Sequence, residues 1–241
     1  MTSPENTTVI LLAAGHGKRM LPLTKNTPKP LLKIGSLSLI EHHLVNLGKQ
    51  GFKNIVINTA YLGEQIRNYL ANGSQFGLSI TYSDESETGA LETAGGIANA
   101  LSLIHSDPFL VVNADIWTDY RYTNLLNKSA EPAYLVLVEN PDHNMKGDYS
   151  FSENSSTLIH SNNESYTFSG IAKYQKTLFT NLPHKSFALA PIFNKLINAN
   201  KLKGELYQGD WFDIGTPQRL AEINAIYKSS TNELSNKDDM R

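Results

Sequence analysis

The 241-residue chain has no cysteine. That excludes a disulfide framework, a thiolate metal site and a cysteine nucleophile. It also lacks an excess of charge of either sign, since 21 Lys and Arg stand against 23 Asp and Glu for a formal −2. A protein that grips nucleic acid backbones carries a broad positive footprint, so any anionic ligand here must be held by a local site. No apolar run approaches the ~18 residues of a membrane span. The opening MTSPENTT has neither the basic start nor the apolar stretch of a secretory signal. The expectation is a soluble, cytoplasmic protein with no nucleic acid or membrane partner and no obligatory protein partner. The seven His show no H-E-x-x-H or other ligand spacing, and His42-His43 reads as a partly exposed helix pair rather than a zinc site. Internal repeats and an interdomain linker are also missing.

What is present is an ordinary globular composition, 40% hydrophobic and 18% charged. The length suits one domain over 7–228, followed by a polar SSTNELSNKDDMR (229–241) that reads as a disordered tail. Within the domain apolar strands alternate with amphipathic helices. TTVILLAA (7–14) is a continuous apolar run with β-branched residues, as a buried strand requires. SLIEHHLVNLGKQG (38–51) puts Leu39, Ile40, His43, Leu44 and Leu47 near one helical face, with Gly51 as terminator. KNIVINTA (53–60), LSITYSDE (78–85), PFLVVNADI (108–116) and AYLVLVEN (133–140) read as further strands. YLGEQIRNYLANG (61–73) and TAGGIANALSLI (93–104) read as helices. The alternation predicts an α/β protein with a mostly parallel, doubly covered sheet and a ligand crevice at the carboxyl ends of its strands.

From about Gly147 the pattern changes. GDYSFSE (147–153) and SYTFSGIAKY (165–174) read as antiparallel strands joined by a turn-rich loop, a small substrate-binding subregion. Helices at 183–201 and 217–228 flank GELYQGDWFDIG (204–215), which reads as a strand pair returning toward the sheet.

The stretch LAAGHGKRMLPLTKNTPKPLL (12–32) follows the first strand. Neither Gly15 nor Gly17 begins the G-x-x-x-x-G-K-[ST] spacing of a Walker loop. A dinucleotide fingerprint also fails, because Met20 and then Pro22 follow the glycines and the second strand ends in Asn58-Thr59-Ala60 without an acid for a ribose. What remains is a tight glycine turn whose N–H groups can face an anion, with cations following at Lys18, Arg19 and Lys29. Lys18 reads equally as a solvated side chain. Pro28 and Pro30 stiffen the segment that carries Lys29.

LAAGHGKRMLPLT with the later PKPLL resembles the signature of the sugar-phosphate nucleotidyltransferases, G-x-G-x-R followed by P-K-P. With LETAGGI (91–97), NADIWTDY (113–120), NPDHNMKGDY (140–149), TFSGI (167–171) and DWFDIGTPQRL (210–220), it is similar to the branch of that family that uridylylates N-acetylmuramate 1-phosphate in peptidoglycan recycling. The resemblance implies a Rossmann-like three-layer fold, UTP and a sugar 1-phosphate as substrates, and Mg²⁺ as cofactor. Arg19 and Lys29 are implied as the catalytic cations, and Gly15, Gly17, Lys18, Arg19, Lys29, Gly95 and Gly96 as the nucleotide site. Asn113, Asp148 and Gly170 are implied at the sugar, and Asp115 and Asp213 as metal ligands. Taken singly, Asn113 reads as well as a backbone-bonding residue, Asp148 as a turn residue, Asp115 as a solvated strand-end acid and Asp213 as a cap.

The implied chemistry suits these residues. A phosphate monoester, with its second pKa near ~6, arrives mostly as a dianion and needs no general base to attack the α-phosphorus. The obstacle is repulsion between anions, about 4 kcal/mol for unit charges ~4 Å apart at an effective dielectric of ~20, which cations must offset. The rival readings are a mannose 1-phosphate guanylyltransferase, a glucose 1-phosphate thymidylyltransferase and, in another class, a noncatalytic nucleotide-sugar sensor.

Overall fold

The computed structural model describes residues 3–87, 89–128, 131–160, 164–182 and 185–238, with side chains described as far as 228. In chain order the strands are β1 (Thr8–Leu12), β2 (Lys33–Ile34), β3 (Leu37–Ser38), β4 (Asn54–Thr59), β5 (Ser79–Asp84), β6 (Phe109–Asn113) and β7 (Ile116–Thr118). They continue as β8 (Ala133–Val138), β9 (Tyr149–Phe151), β10 (Leu158–His160), β11 (Thr167–Tyr174), β12 (Leu202–Leu206) and β13 (Trp211–Asp213). The helices are α1 (Leu39–Lys49), α2 (Gly63–Leu70), α3 (Glu92–Asn99), α4 (Ala190–Asn198) and α5 (Pro217–Asp238).

A seven-stranded sheet in the order β12-β8-β11-β6-β1-β4-β5 forms the middle layer. Every pairing in it is parallel except those that β11 makes with β6 and β8. Strands β1, β6 and β8 are apolar along nearly their whole length because both sides of the sheet are covered there. Val9 and Leu11 of β1 pack with Ile40, Leu44 and Leu47 of α1 and with Ile66 and Leu70 of α2, while Ile10 between them faces Ala94 and Ile97 of α3. Helix α4 extends that second layer with Ile192, Phe193, Leu196 and Ile197. The buried face of α1 is the one that its spacing predicts, and its start is fixed by Ser38, whose N–H donates to the Glu41 carboxylate at 2.7 Å.

Three expectations need correction. SYTFSGIAKY meets GDYSFSE in an antiparallel bridge of Tyr166 with Tyr149, but its strand β11 enters the main sheet between β6 and β8, and the strand that pairs with β9 is β10. The long apolar face of β11 gains more burial in the sheet than at its edge. The segment 204–215 does not pair with itself, since β12 runs parallel to β8 and β13 pairs antiparallel with β7. Of the pair expected to be partly exposed, His42 is so, but His43 is 2% accessible, facing the Tyr122 hydroxyl from Nδ1 at 2.9 Å and the Ile116 carbonyl from Nε2 at 2.8 Å. Burial lowers its pKa to about 4. The backbone of α5 runs on to Asp238, through most of the segment whose composition reads as a tail.

Candidate active site

Because β1, β4, β5 and β6 run the same way, their carboxyl ends open on one edge of the sheet. A cleft of about 210 Å³ lies there, lined by residues that follow each apolar run. Leu12 to Gly15 come from β1, Asn58 from β4, Glu85 from the residue after β5, and Asn113 and Asp115 from the end of β6 and its turn into β7. Ala90 to Thr93, at the start of α3, and Lys29 with Pro30 complete the lining.

The glycine turn is anchored from below. Gly17 has φ +60°, where an L side chain is strained, and a Cβ there would press on Thr24 Cγ2 at 3.1 Å and Lys29 Cβ at 3.2 Å. Its carbonyl accepts from Thr24 Oγ1 at 2.9 Å and from Met20 N–H at 2.8 Å. Met20 is fully buried against Ile34, Leu39, Ile214 and Ile223, so the turn is tied both to α1 and to α5. Gly15 faces open space and lines the cleft. Lys18 and Arg19 stand exposed on a short 3-10 turn, outside the lining. Lys29 is 8% accessible, and its Nζ donates to Asp115 Oδ2 at 2.7 Å. The Asp115 side chain keeps 43% of its surface exposed, so a buried cation stem meets a solvated carboxylate at the mouth of the cleft.

The two predicted metal aspartates adjoin through their backbones. Asp213 pairs with Ile116 across β13 and β7, and Ile214 N–H donates to the Asp115 carbonyl at 2.9 Å. Their side chains have separate partners. Asp213 accepts from Arg219 Nη1 on both oxygens at 2.8 Å, has His143 Nε2 3.2 Å from Oδ2, and borders a second hollow of about 370 Å³ with Trp211, Glu139 and Glu222. Gly215 admits this pairing, because a Cβ there would lie 2.8 Å from Arg219 Nη1.

Asn113 lines the cleft and is brought together with Gly170. That glycine sits at φ +82° where the pairing of β11 with β8 slips, and a Cβ on it would come within 2.6 Å of Asn113 Nδ2. Asp148 lies outside the lining; its Oδ2 accepts Phe168 N–H at 2.8 Å and its Oδ1 accepts from Asn144 at 3.2 Å, which ties β11 to the loop before β9. Gly95 and Gly96 are also outside it. A Cβ on Gly95 would strike the Lys185 carbonyl at 2.6 Å, and one on Gly96 would lie 2.8 Å from both Asn58 Nδ2 and Glu85 Oε1. The close approach these glycines permit in this structure is by the protein itself. Sequence reasoning passed over Asn58 and Glu85; the one signal for them was a polar residue at the carboxyl end of a buried strand.

A family model described as Nucleotidyl transferase matches residues 8–230. The chain is 44% identical over 224 residues to an N-acetylmuramate alpha-1-phosphate uridylyltransferase of Neisseria meningitidis serogroup B, covering 90% of this chain and 96% of the relative. It is 28% identical over 234 residues to the protein of that name in Caulobacter vibrioides, covering 88% of this chain and 96% of the relative. A mannose-1-phosphate guanyltransferase of Neurospora crassa is 28% identical over 248 residues, and the chain spans 66% of its length. Among solved structures, a putative glucose-1-phosphate thymidylyltransferase from Bacillus anthracis superposes with a TM-score of 0.78 at 24% identity, covering 92% of this chain and 94% of the other. That likeness concerns the fold.

Proposed function

The chain belongs to the nucleotidyl transferase family, and from that premise we propose that it transfers a uridylyl group from UTP to N-acetylmuramate 1-phosphate, giving UDP-N-acetylmuramate and pyrophosphate. The observation that carries the sugar and the base is the 44% identity to a uridylyltransferase of that substrate over nearly the full length of both chains. The product returns a cell-wall sugar to nucleotide form, which suits peptidoglycan recycling.

In this reading the triphosphate lies between the glycine turn and the start of α3. Backbone N–H groups of the turn face its phosphates, Arg19 swings in from the exposed turn, and Lys29 meets the α-phosphate from below. The sugar 1-phosphate approaches past Asn113, which Gly170 allows to sit close against β11.

The cleft lining carries one cation, Lys29, against three carboxylates, Glu85, Glu92 and Asp115. A triphosphate cannot be neutralised by that set alone, so a divalent ion is needed to bring it in. Among the described residues no three or more His, Cys, Asp or Glu gather as a metal cage. Mg²⁺ asks less, one or two carboxylates with phosphate oxygens and water, and Asp115 and Asp213 on adjoining backbones fit it. When bound, Mg²⁺ supplies charge neutralisation at the transferring phosphoryl group. Lys29 orients the Asp115 carboxylate, and Arg219 holds that of Asp213.

The test is a matrix of UTP, GTP and dTTP against N-acetylmuramate, N-acetylglucosamine, glucose and mannose 1-phosphates, scored by pyrophosphate release. UTP with N-acetylmuramate 1-phosphate is expected to give the highest kcat/KM. A higher value for any other pair refutes the substrate assignment and leaves the reaction class standing.

A further inference from the structure

Three buried hydrogen bonds run along the cleft lining and converge on Glu85. Ala13 N–H donates to Asn58 Oδ1 at 2.7 Å, Asn58 Nδ2 donates to Glu85 Oε1 at 2.8 Å, and Leu91 N–H donates to Glu85 Oε2 at 3.0 Å. They join the ends of β1, β4 and β5 to the residue that starts α3. Asn58 is 4% accessible and Glu85 is 1%. Burial pushes the Glu85 carboxyl up, against the pull of the Leu91 and Asn58 donors. The polarity of the chain is set by Glu85. A glutamine in its place would turn an NH₂ toward either Asn58 Nδ2 or Leu91 N–H, and flipping the Asn58 amide to suit would turn an NH₂ toward Ala13 N–H. A buried donor left without an acceptor costs more than the bond itself is worth.

We propose that Glu85 is a positioning residue for the nucleoside triphosphate. Through Asn58 on one side and Leu91 on the other, it fixes the glycine turn that begins at Ala13 relative to the start of α3. These are the two walls between which the nucleotide lies. The inference rests on the reading of this cleft as the nucleotide site. The sugar side of the cleft, at Asn113 and Gly170, has no part in the relay, so the effect of Glu85 falls on the nucleotide alone.

The experiment compares wild type, Glu85→Gln, Asn58→Asp and the double variant, by calorimetric titration with Mg²⁺ and UTP, by KM for each substrate, and by Tm. Glu85→Gln weakens UTP binding about tenfold or more, as loss of one buried acceptor implies, while KM for the sugar 1-phosphate stays within about threefold. Asn58→Asp sets two buried carboxylates face to face and weakens UTP further. The double variant restores the relay with the charge moved one position. Its new carboxylate at 58 accepts from Ala13 N–H and from the new amide at 85, whose oxygen accepts from Leu91 N–H. UTP affinity therefore returns in the double variant, and if Asn58→Asp fails to fold, Glu85→Gln against the double variant gives the same answer.

Wild-type affinity in Glu85→Gln, or a double variant that binds no better than Glu85→Gln, overturns the proposal. So does a restored Tm without a change in affinity, which marks a purely structural relay. A wild type that binds GTP or dTTP instead of UTP refutes the uridylyl reading, and the four proteins are then compared with the triphosphate that binds. Binding of none of the three refutes both.

Discussion

Replacing Lys29 with methionine separates a catalytic role from a structural one. The stem of Lys29 is packed in the protein, at 8% accessible, and methionine fills nearly the same volume. The charge lost is the only cation among the described residues of the cleft lining, and the partner left behind, Asp115, has a side chain 43% exposed. An ion pair with so solvated a carboxylate is worth about 0.2–1 kcal/mol, and the aspartate is not stranded when the pair is broken. For a domain of this size that shifts Tm by no more than about 4 °C. Activity should respond on a different scale. Removing one preorganised group from the place where charge develops costs about 10²–10³-fold in turnover, or about 2.7–4 kcal/mol. Lys29→Met should therefore melt close to wild type in a thermal scan and lose most of its pyrophosphate release. If it turns over at the wild-type rate, Lys29 is not at the reacting phosphates. If Tm collapses along with the rate, the lysine is a strut and the loss of activity says nothing about chemistry.

Asp115→Asn and Asp213→Asn should each cut turnover by about 10²-fold with the fold retained, and Asp213→Asn should also lower Tm by a few degrees because it breaks the paired contacts with Arg219; wild-type rates at saturating Mg²⁺ remove either residue from the site. Gly170→Ala forces a methyl into φ +82° and against Asn113, so steady-state kinetics should show KM for the sugar 1-phosphate raised about tenfold with KM for UTP little changed, and equal changes in both would place Gly170 elsewhere. His43, held neutral with its pKa lowered from 6.5 to about 4, contributes stability that is fully present above pH 6.5 and is lost as pH falls toward 4. The loss should be on the order of 3 kcal/mol. Denaturant unfolding of wild type and His43→Gln over that range checks it, since an unchanged slope in the variant means that His43 is not the titrating group.

How far the sequence reaches can be judged on particular residues. The face of α1 was legible down to His43 because helix spacing and burial are local, and β1 was legible because a run apolar at every position has no other comfortable place than a covered strand. The pairings of β11, β12 and β13 were not, since their partners lie 29 or more positions away, Thr167 with Val138 the nearest, and nothing in a strand's own residues names its neighbour. His43 fell between the two cases. Its place on the apolar face was readable, but its burial depends on a carbonyl at Ile116 and a hydroxyl at Tyr122 that only the fold delivers.

The same limit explains why the signature residues and the supporting residues differ in visibility. Gly15, Gly17, Lys29 and Asp115 belong to a segment pattern long enough to be read directly. Asn58 and Glu85 are single polar residues in unrelated segments, and they become a unit only when β4 and β5 pair and α3 closes on them. A doubly covered parallel sheet leaves little room for polar side chains along its strands, so many of them collect where the strands end. There they must either face a ligand or satisfy one another. Asn113 and Asp115 line the cleft at its open side, while Asn58 and Glu85, in the same lining, bond to one another and to backbone, so a carboxylate at the cleft can be 1% accessible.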